Sequence, residues 1–326
     1  MAEAMAGTPA PPDRSRRMVV ATCAIAAAVC TLFLFTGLRG NIGFVLGLRL
    51  SQMIGLVQVA VSIAISTVVF QTITGNRILS PSIMGLDALY LFCQTALVFV
   101  LGGFGYAALP PSWKFFGEVA LMMAFSTVLF LPMLRRRTDM MLMILTGFVL
   151  GFLFRSLSAL IARLIDPNAF AVLQGASFAS FQSFDDRLLV VGGVLTACGT
   201  LFAWRVRHVL DVIALGRDAA IGLGLGWNRW VTGLLLLVAA LVATSTALAG
   251  PLAFLGLLVV ALAERLCASQ RHGILLPVAA GVAIVVLVGA QTMARMGFGS
   301  AVVVSVIVEF VGGFVFLAIL FARRRG

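Results

Sequence analysis

The sequence predicts an all-α polytopic membrane protein with about ten transmembrane helices, and three observations lead to this fold class. The 326-residue chain is 61% hydrophobic and only 11% charged, a balance that soluble globular domains do not show. Its apolar runs are continuous and do not alternate with polar residues, which argues against a β-barrel. Because backbone groups in lipid must be hydrogen-bonded within the protein, these runs are expected to be helices.

Each long apolar run is interpreted as one span. Residues 1–17 are predicted to be a cytoplasmic tail, because the run that begins at Met18 is about as long as a full span and is followed by many others. Residues 18–326 then form a single transmembrane domain. The spans are predicted at 18–38, 53–73, 82–102, 115–134, 140–162, 188–204, 229–247, 251–267, 274–292 and 301–322.

The distribution of basic residues predicts the orientation of the chain. An even number of spans places both termini on one side, and most of the 23 lysines and arginines fall between spans on that same side. The positive-inside rule then predicts cytoplasmic termini. The net charge of +11 is explained by this topology, so we expect no nucleic-acid partner. The chain has no GxxxxGK[ST] phosphate loop, so any ATP that drives it is hydrolysed by another chain.

No set of residues in the sequence is typical of an enzyme or a metal centre. The five cysteines are scattered without metal-ligand spacing, and His208 and His272 fall in predicted cytoplasmic loops, where we expect them to be solvated. The chain is therefore expected to bind no cofactor or metal and to catalyse no reaction. Two carboxylates lie inside spans, Asp87 and Glu309, and their roles stay open between a proton path and pairing within the bundle or across a dimer.

The polar segment at about 205–228 separates two apolar runs. Its centre, LGRDAAIGLGL at 215–225, combines a charged pair with small residues and glycines. A short helix with this composition can lie on the membrane surface and present small side chains to a soluble partner. It can equally be an amphipathic connector that lies at the membrane interface without a partner.

The same segment resembles the cytoplasmic coupling segment of permeases in the iron-chelate and cobalamin family of bacterial ABC importers. Three further runs resemble segments of that family in the family's order: LRLSQMIGLVQVAVSIAISTVVFQTITGNRILSPSIMGLDALYL at 48–91, GPLAFLGLLVVALAERL at 250–266 and VIVEFVGGFVFLAIL at 306–320. The stretch 260–264 lacks the Pro-His pair that most members carry. With TGNRILSPSIMGLDALY, this departure is more similar to the sub-branch that imports ferric siderophores.

The resemblance implies a type II ABC importer permease fold in the bacterial cytoplasmic (inner) membrane. It implies that two permeases, either two copies or this chain and a sister chain, form the pore, and that ATP-binding subunits carrying ATP-Mg drive them. It also implies a soluble siderophore-binding protein on the outer side. The residues expected to contact the ATP-binding subunit are Leu215, Gly216, Arg217, Asp218, Ala219, Ala220, Leu223 and Gly224.

Three other groups of residues are candidates for the transport mechanism. The polar residues of the second span recur near helical spacing and either line the path or pack between helices: Gln58, Ser62, Ser66, Thr67 and Gln71. Asn76, Arg77 and Pro81 form either a cytoplasmic gate, as the family implies, or an ordinary turn that precedes a helix. Gln182, Asp185 and Asp186 either dock the binding protein or begin the sixth span, where acidic residues complement the helix dipole.

Together these features predict the permease subunit of an ATP-driven importer that moves a ferric siderophore by alternating access. Three alternatives stay open. The first is a cobalamin or haem permease of the same family. The second is a proton-coupled secondary carrier, and the third is a membrane-embedded scaffold subunit.

Overall fold

The computed structural model describes residues 12–37, 41–135, 140–182, 184–267, 269–298, 305–310 and 312–314. Within these residues the regular structure is entirely helical, as the sequence predicts. The helices are α1 (Pro12–Phe35), α2 (Ile42–Thr74), α3 (Leu86–Ala108), α4 (Pro111–Arg135), α5 (Met140–Ala162), α6 (Pro167–Ser177), α7 (Asp186–Arg205), α8 (Arg207–Ile213), α9 (Arg217–Gly222), α10 (Trp227–Ala249), α11 (Leu255–Leu266) and α12 (His272–Phe298).

Seven helices of the described part are long and apolar enough to cross a membrane, namely α1, α2, α3, α5, α7, α10 and α12. Helix α4 coincides with the fourth predicted span. Helix α11 coincides with the eighth, but with 12 residues it is shorter than a full crossing. Most of the last predicted span, 301–322, and of the predicted tail, 1–17, lies outside the described residues. The number of ten spans therefore stays a prediction.

Helix α2 is the axis of the bundle. It is 33 residues long and packs against α1, α7, α10, α11 and α12. Its apolar residues are fully enclosed at positions such as Leu56, Val59 and Phe70. By contrast, apolar residues on the outer faces of other helices are open, including Phe152 and Leu201, which are 68% and 67% exposed. This pattern is typical of a bundle whose periphery faces lipid.

Two segments without α-helix interrupt the bundle beside α2. The first runs from Gly75 to Gly85 and contains a single turn of 3-10 helix at Pro81–Met84. The second, 250–254, follows α10. The third and eighth predicted spans therefore begin later than expected, at Leu86 and Leu255. Irregular backbone in a membrane protein must be buried in protein or line a cavity, and both segments border a small cavity against α2.

Glycines let α3 approach α5 closely. A Cβ atom added at Gly85 would lie 2.9 Å from the carbonyl oxygen of Gly147 and 3.0 Å from the Cα atom of Gly151. Gly85 also has φ +85°, a conformation that side chains beyond glycine seldom adopt. The contact fixes where the 75–85 segment enters α3.

Gly85→Ala is expected to lower the free energy of unfolding by about 1–3 kcal/mol, because the added methyl group meets rigid backbone atoms and the backbone is strained. The measurement is thermal unfolding of the purified protein in detergent. Gly117→Ala is the matched control, since a Cβ atom there meets nothing within 4 Å. Equal unfolding temperatures for the two variants would contradict the close packing of α3 on α5.

Candidate functional site

The segment 205–228 folds into two short helices, α8 and α9, joined by a tight turn. Gly216 precedes α9 with φ +94°, and Gly224 follows it with φ +82°. Both values favour glycine over every other residue. The backbone N–H of Leu225 donates to the carbonyl oxygen of Ala220 at 3.0 Å and closes the end of α9. The glycines of the sequence motif thus define where this surface helix begins and ends.

Most of the predicted coupling residues lie on the surface. Leu215 and Leu223 are 64% and 65% exposed, and Ile221 beside them is 49% exposed. Gly216, Arg217, Asp218, Ala219 and Gly224 are exposed as well. Ala220 differs because it is fully buried beneath α9. The segment therefore presents leucine and isoleucine side chains next to a charged pair, with Ala220 supporting them from below.

A partly buried chain of hydrogen bonds connects this segment to α2. The Asp211 carboxylate in α8 accepts from the backbone N–H of His272 at 2.8 Å and lies 2.7 Å from His272 Nδ1. His272 Nε2 lies 2.7 Å from the Thr72 hydroxyl, near the end of α2. His272 is 3% exposed, so the expectation that it is solvated is wrong, while His208 is exposed as expected. Sequence reasoning missed Asp211 and Thr72.

Two of the predicted gate residues, Asn76 and Arg77, lie at the same end of α2. Asn76 Oδ1 accepts from the backbone N–H of Ile78 at 3.0 Å, which makes a side-chain-closed turn. The Gln71 side chain donates to the carbonyl oxygen of Arg77 at 2.9 Å. Arg77 forms an ion pair with Glu264 of α11 at 3.2 Å and also donates to Gln270. Because Arg77 is 44% exposed at its side chain, this pair contributes at most about 1 kcal/mol.

A cavity of about 180 Å³ lies between the gate residues and the coupling segment. Gln71, Thr72, Arg77 and Glu264 line one part of it, and His272 and Ala214 line another. Pro81 lies apart from this group, at the start of the 3-10 turn. The described residues contain no group of three or more His, Cys, Asp or Glu side chains that could hold a metal ion.

The polar residues in the middle of α2 contact other helices of the same chain. Gln58 donates to the carbonyl oxygen of Leu189 in α7 at 2.9 Å. The Ser62 hydroxyl lies 2.9 Å from that of Thr196. Ser66 and Thr67 are almost completely buried. In these contacts the residues pack helices of one chain together. That they also line a path for the transported substrate stays a prediction.

The predicted docking residues lie together at the opposite end of α2. Asp185 caps the start of α7, where its carboxylate accepts from the N–H groups of Arg187 and Leu188. Asp186 accepts from the Ser51 hydroxyl of α2 at 3.2 Å. The carbonyl oxygen of Gln182 accepts from the Gln52 side chain. All three predicted residues are exposed, so they are open to a partner.

Comparison with known proteins identifies the family. Residues 33–322 match the FecCD transport family. The chain belongs to this family. The petrobactin import system permease protein YclO of Bacillus subtilis (strain 168) is 38% identical over 311 residues, which cover 95% of this chain and 98% of that protein. The petrobactin import system permease protein FatC of Bacillus anthracis is 32% identical over 279 residues, or 85% of this chain and 78% of that protein.

The fold is shared with a solved transporter. An inward-facing conformation of a metal-chelate type ABC transporter matches 94% of this chain and 99% of its own, with a TM-score of 0.83. At 19% sequence identity the likeness concerns the fold alone. The resemblance to the iron-chelate permease family that the sequence motifs indicate is confirmed.

Asp211→Asn and His272→Gln are each expected to lower the free energy of unfolding by about 1.5–3 kcal/mol, because each change leaves a charged or buried partner poorly paired. In the double variant the free energy of unfolding is expected to fall by less than the sum of the two single losses, because both changes remove the same interaction. Thermal or denaturant unfolding in detergent measures all three. His208→Gln, on the exposed side of α8, serves as control. Additive losses would contradict the described chain of hydrogen bonds.

Proposed function

We propose that this chain is the permease subunit of an ATP-driven importer that moves a ferric siderophore across the bacterial cytoplasmic membrane by alternating access. Two relatives support the substrate class, since both are named as petrobactin import permeases and one aligns over almost the whole chain. The observation that carries the mechanism is the exposed apolar surface of α9 and its flanking turns.

The proposal assigns ten spans to the chain, with both termini in the cytoplasm. The seven apolar helices supply seven of them. Helix α4, the short helix α11 and the helix that contains 305–310 complete the set. The basic residues around α8 and α9, including Arg205, Arg207 and Arg229, support a cytoplasmic location for this side of the bundle by the positive-inside rule.

The coupling segment is the docking surface for an ATP-binding subunit. Leu215, Ile221 and Leu223 are open and apolar, yet they lie among charged residues on the cytoplasmic side. Apolar side chains that cluster on a water-facing surface mark a protein contact. Arg217 and Asp218 at the rim supply polar contacts to that subunit, which carries ATP-Mg.

The contacts of α8 connect the coupling segment with the rest of the bundle, so that a movement of the ATP-binding subunit can be transmitted. A push on α9 reaches α8 through the Gly216 turn, and Asp211 of α8 holds His272 and through it Thr72. The ends of α12 and α2 therefore move with the coupling segment as one body. The cavity beside Arg77 and Glu264 lies where such a movement would open or close the cytoplasmic side.

Two other partners complete the proposed importer. A second permease, either another copy or a sister chain, forms the pore together with this chain. A siderophore-binding protein docks at the outer end, where Gln182, Asp185 and Asp186 are exposed. The binding protein selects the ferric chelate, and the iron arrives already bound by the siderophore. The permease therefore needs no iron ligands of its own.

Leu223→Asp is expected to reduce recovery of the ATP-binding subunit with the permease, and ATP-dependent uptake of ferric petrobactin, each by about tenfold or more. The change places a charge in the apolar centre of the docking surface, where single residues carry much of the binding free energy. Co-purification and uptake into proteoliposomes containing the whole complex measure both effects.

Leu164→Asp is the matched control, because Leu164 is also 65% exposed but lies at the opposite end of the bundle, after α5. It is expected to retain the ATP-binding subunit. Positions 216 and 220 are unsuitable for this test, since φ +94° at Gly216 and the burial of Ala220 make larger residues disrupt the segment itself. Full assembly and uptake by Leu223→Asp would show that the segment is only a surface connector.

A further inference from the structure

A small polar cavity lies where the two irregular segments meet α2. Its volume of about 10 Å³ is room for one water molecule or one ion. Its wall comes from α2, the 75–85 segment, the start of α3, the end of α10 and the residues that lead into α11. The oxygen-bearing side chains that line it are Ser66, Thr67, Ser80, Ser82, Asp87, Ser245 and Thr246.

Two of the side chains that line the cavity carry a buried oxygen atom without a protein partner. Asp87 is 5% exposed and Ser80 is 2% exposed. Within the described residues, no group hydrogen-bonds to Asp87 Oδ2 or to the Ser80 hydroxyl. Buried polar atoms are rarely left unpaired because their desolvation is costly. Both atoms are therefore available to a ligand inside the cavity.

Three other hydroxyl groups of the wall are available to the cavity only as acceptors. Ser66 and Thr67 donate their protons to the carbonyl oxygen of Ile63, at 3.0 and 2.7 Å. Ser245 donates to the carbonyl oxygen of Val242 at 2.9 Å. A hydroxyl has one proton, so each of these groups offers only lone pairs to the cavity. Lone pairs on three hydroxyl groups beside the carboxylate of Asp87 favour a positively charged occupant.

The surrounding charges also favour a cation. Asp87 is the only charged side chain among the described residues that line the cavity. The carboxyl end of α10, only a few residues beyond Ser245, adds the negative end of a helix dipole.

We propose that this cavity is a binding site for a single monovalent cation, with Na⁺ as the occupant. Oxygen ligands suit hard cations, and the site has room for one ion beside the carboxylate of Asp87. Sites of this kind in transporters lie where helices are interrupted and helix ends meet. A bound ion joins the 75–85 segment, which carries Asn76 and Arg77, to α10, and so stabilises one arrangement of the gate region.

Binding of radioactive sodium to the full chain in lipid nanodiscs tests the site, with choline replacing sodium in the reference buffer. Saturable binding of one ion per chain is expected. Asp87→Asn is expected to weaken it by about 10- to 100-fold, since it removes the charged ligand. Ser80→Ala is expected to weaken it by a smaller factor and provides a second variant. Sodium should also raise the unfolding temperature of the wild type and not that of Asp87→Asn.

Two control variants change similar groups elsewhere. Glu118→Gln alters a buried carboxylate that is bonded to Gln94 at 2.6 Å, and Ser126→Ala removes a buried hydroxyl that likewise has no described partner. Both should bind sodium as the wild type does. Absence of sodium binding, or equal binding by Asp87→Asn, would overturn the proposal and leave a proton or a water molecule as the occupant. This measurement needs no ATPase or substrate, so its outcome is independent of the proposed import function.

Discussion

The structure depends on one constraint, which is that the polar side chains of a helix enclosed by other helices must find partners inside the protein. Helix α2 is such a helix along most of its length. Two of its hydroxyl groups, those of Ser66 and Thr67, donate their protons to a carbonyl oxygen of the same helix, that of Ile63. Its glutamines reach other elements, and Gln58 and Gln71 bind backbone carbonyl groups of α7 and of the 75–85 segment. The polar residues of α2 therefore determine which elements surround it.

Hydrogen-bonded side chains of α2 also join other elements at both ends of the molecule. At one end Gln52 joins the segment before α7 to Arg295 of α12. At the other end Thr72 joins α2 to His272 of α12 and, through Asp211, to the coupling segment. Hydrogen bonds thus connect α8, which precedes α9, with α2 and α12, and α2 and α12 are joined again at the other end of the bundle. The proposed import mechanism uses this continuity to transmit movement from a separate ATPase.

Local features were predictable from the sequence, and long-range ones were not. Long apolar runs predict α2, α7, α10 and α12 because hydropathy is read within each run. The pairing of Asp211 with His272 spans 61 residues, and no local pattern reports it. The burial of Ala220 and the late starts of α3 and α11 also escape prediction, because an apolar composition does not show where a helix is interrupted. The local signals of these breaks are Asn76 and Pro81 before α3 and the Gly-Pro pair at 250–251 before α11.

The central claim is that ATP hydrolysis by a partner, and no ion gradient, drives transport through this chain. Uptake of ferric petrobactin into proteoliposomes that contain the permeases and ATP-binding subunits, with the binding protein outside, tests it most directly. The account predicts uptake that requires enclosed ATP and continues when sodium, proton and electrical gradients are abolished with equal ion concentrations on both sides. Uptake by the permease alone, driven by an imposed gradient without ATP, would contradict it.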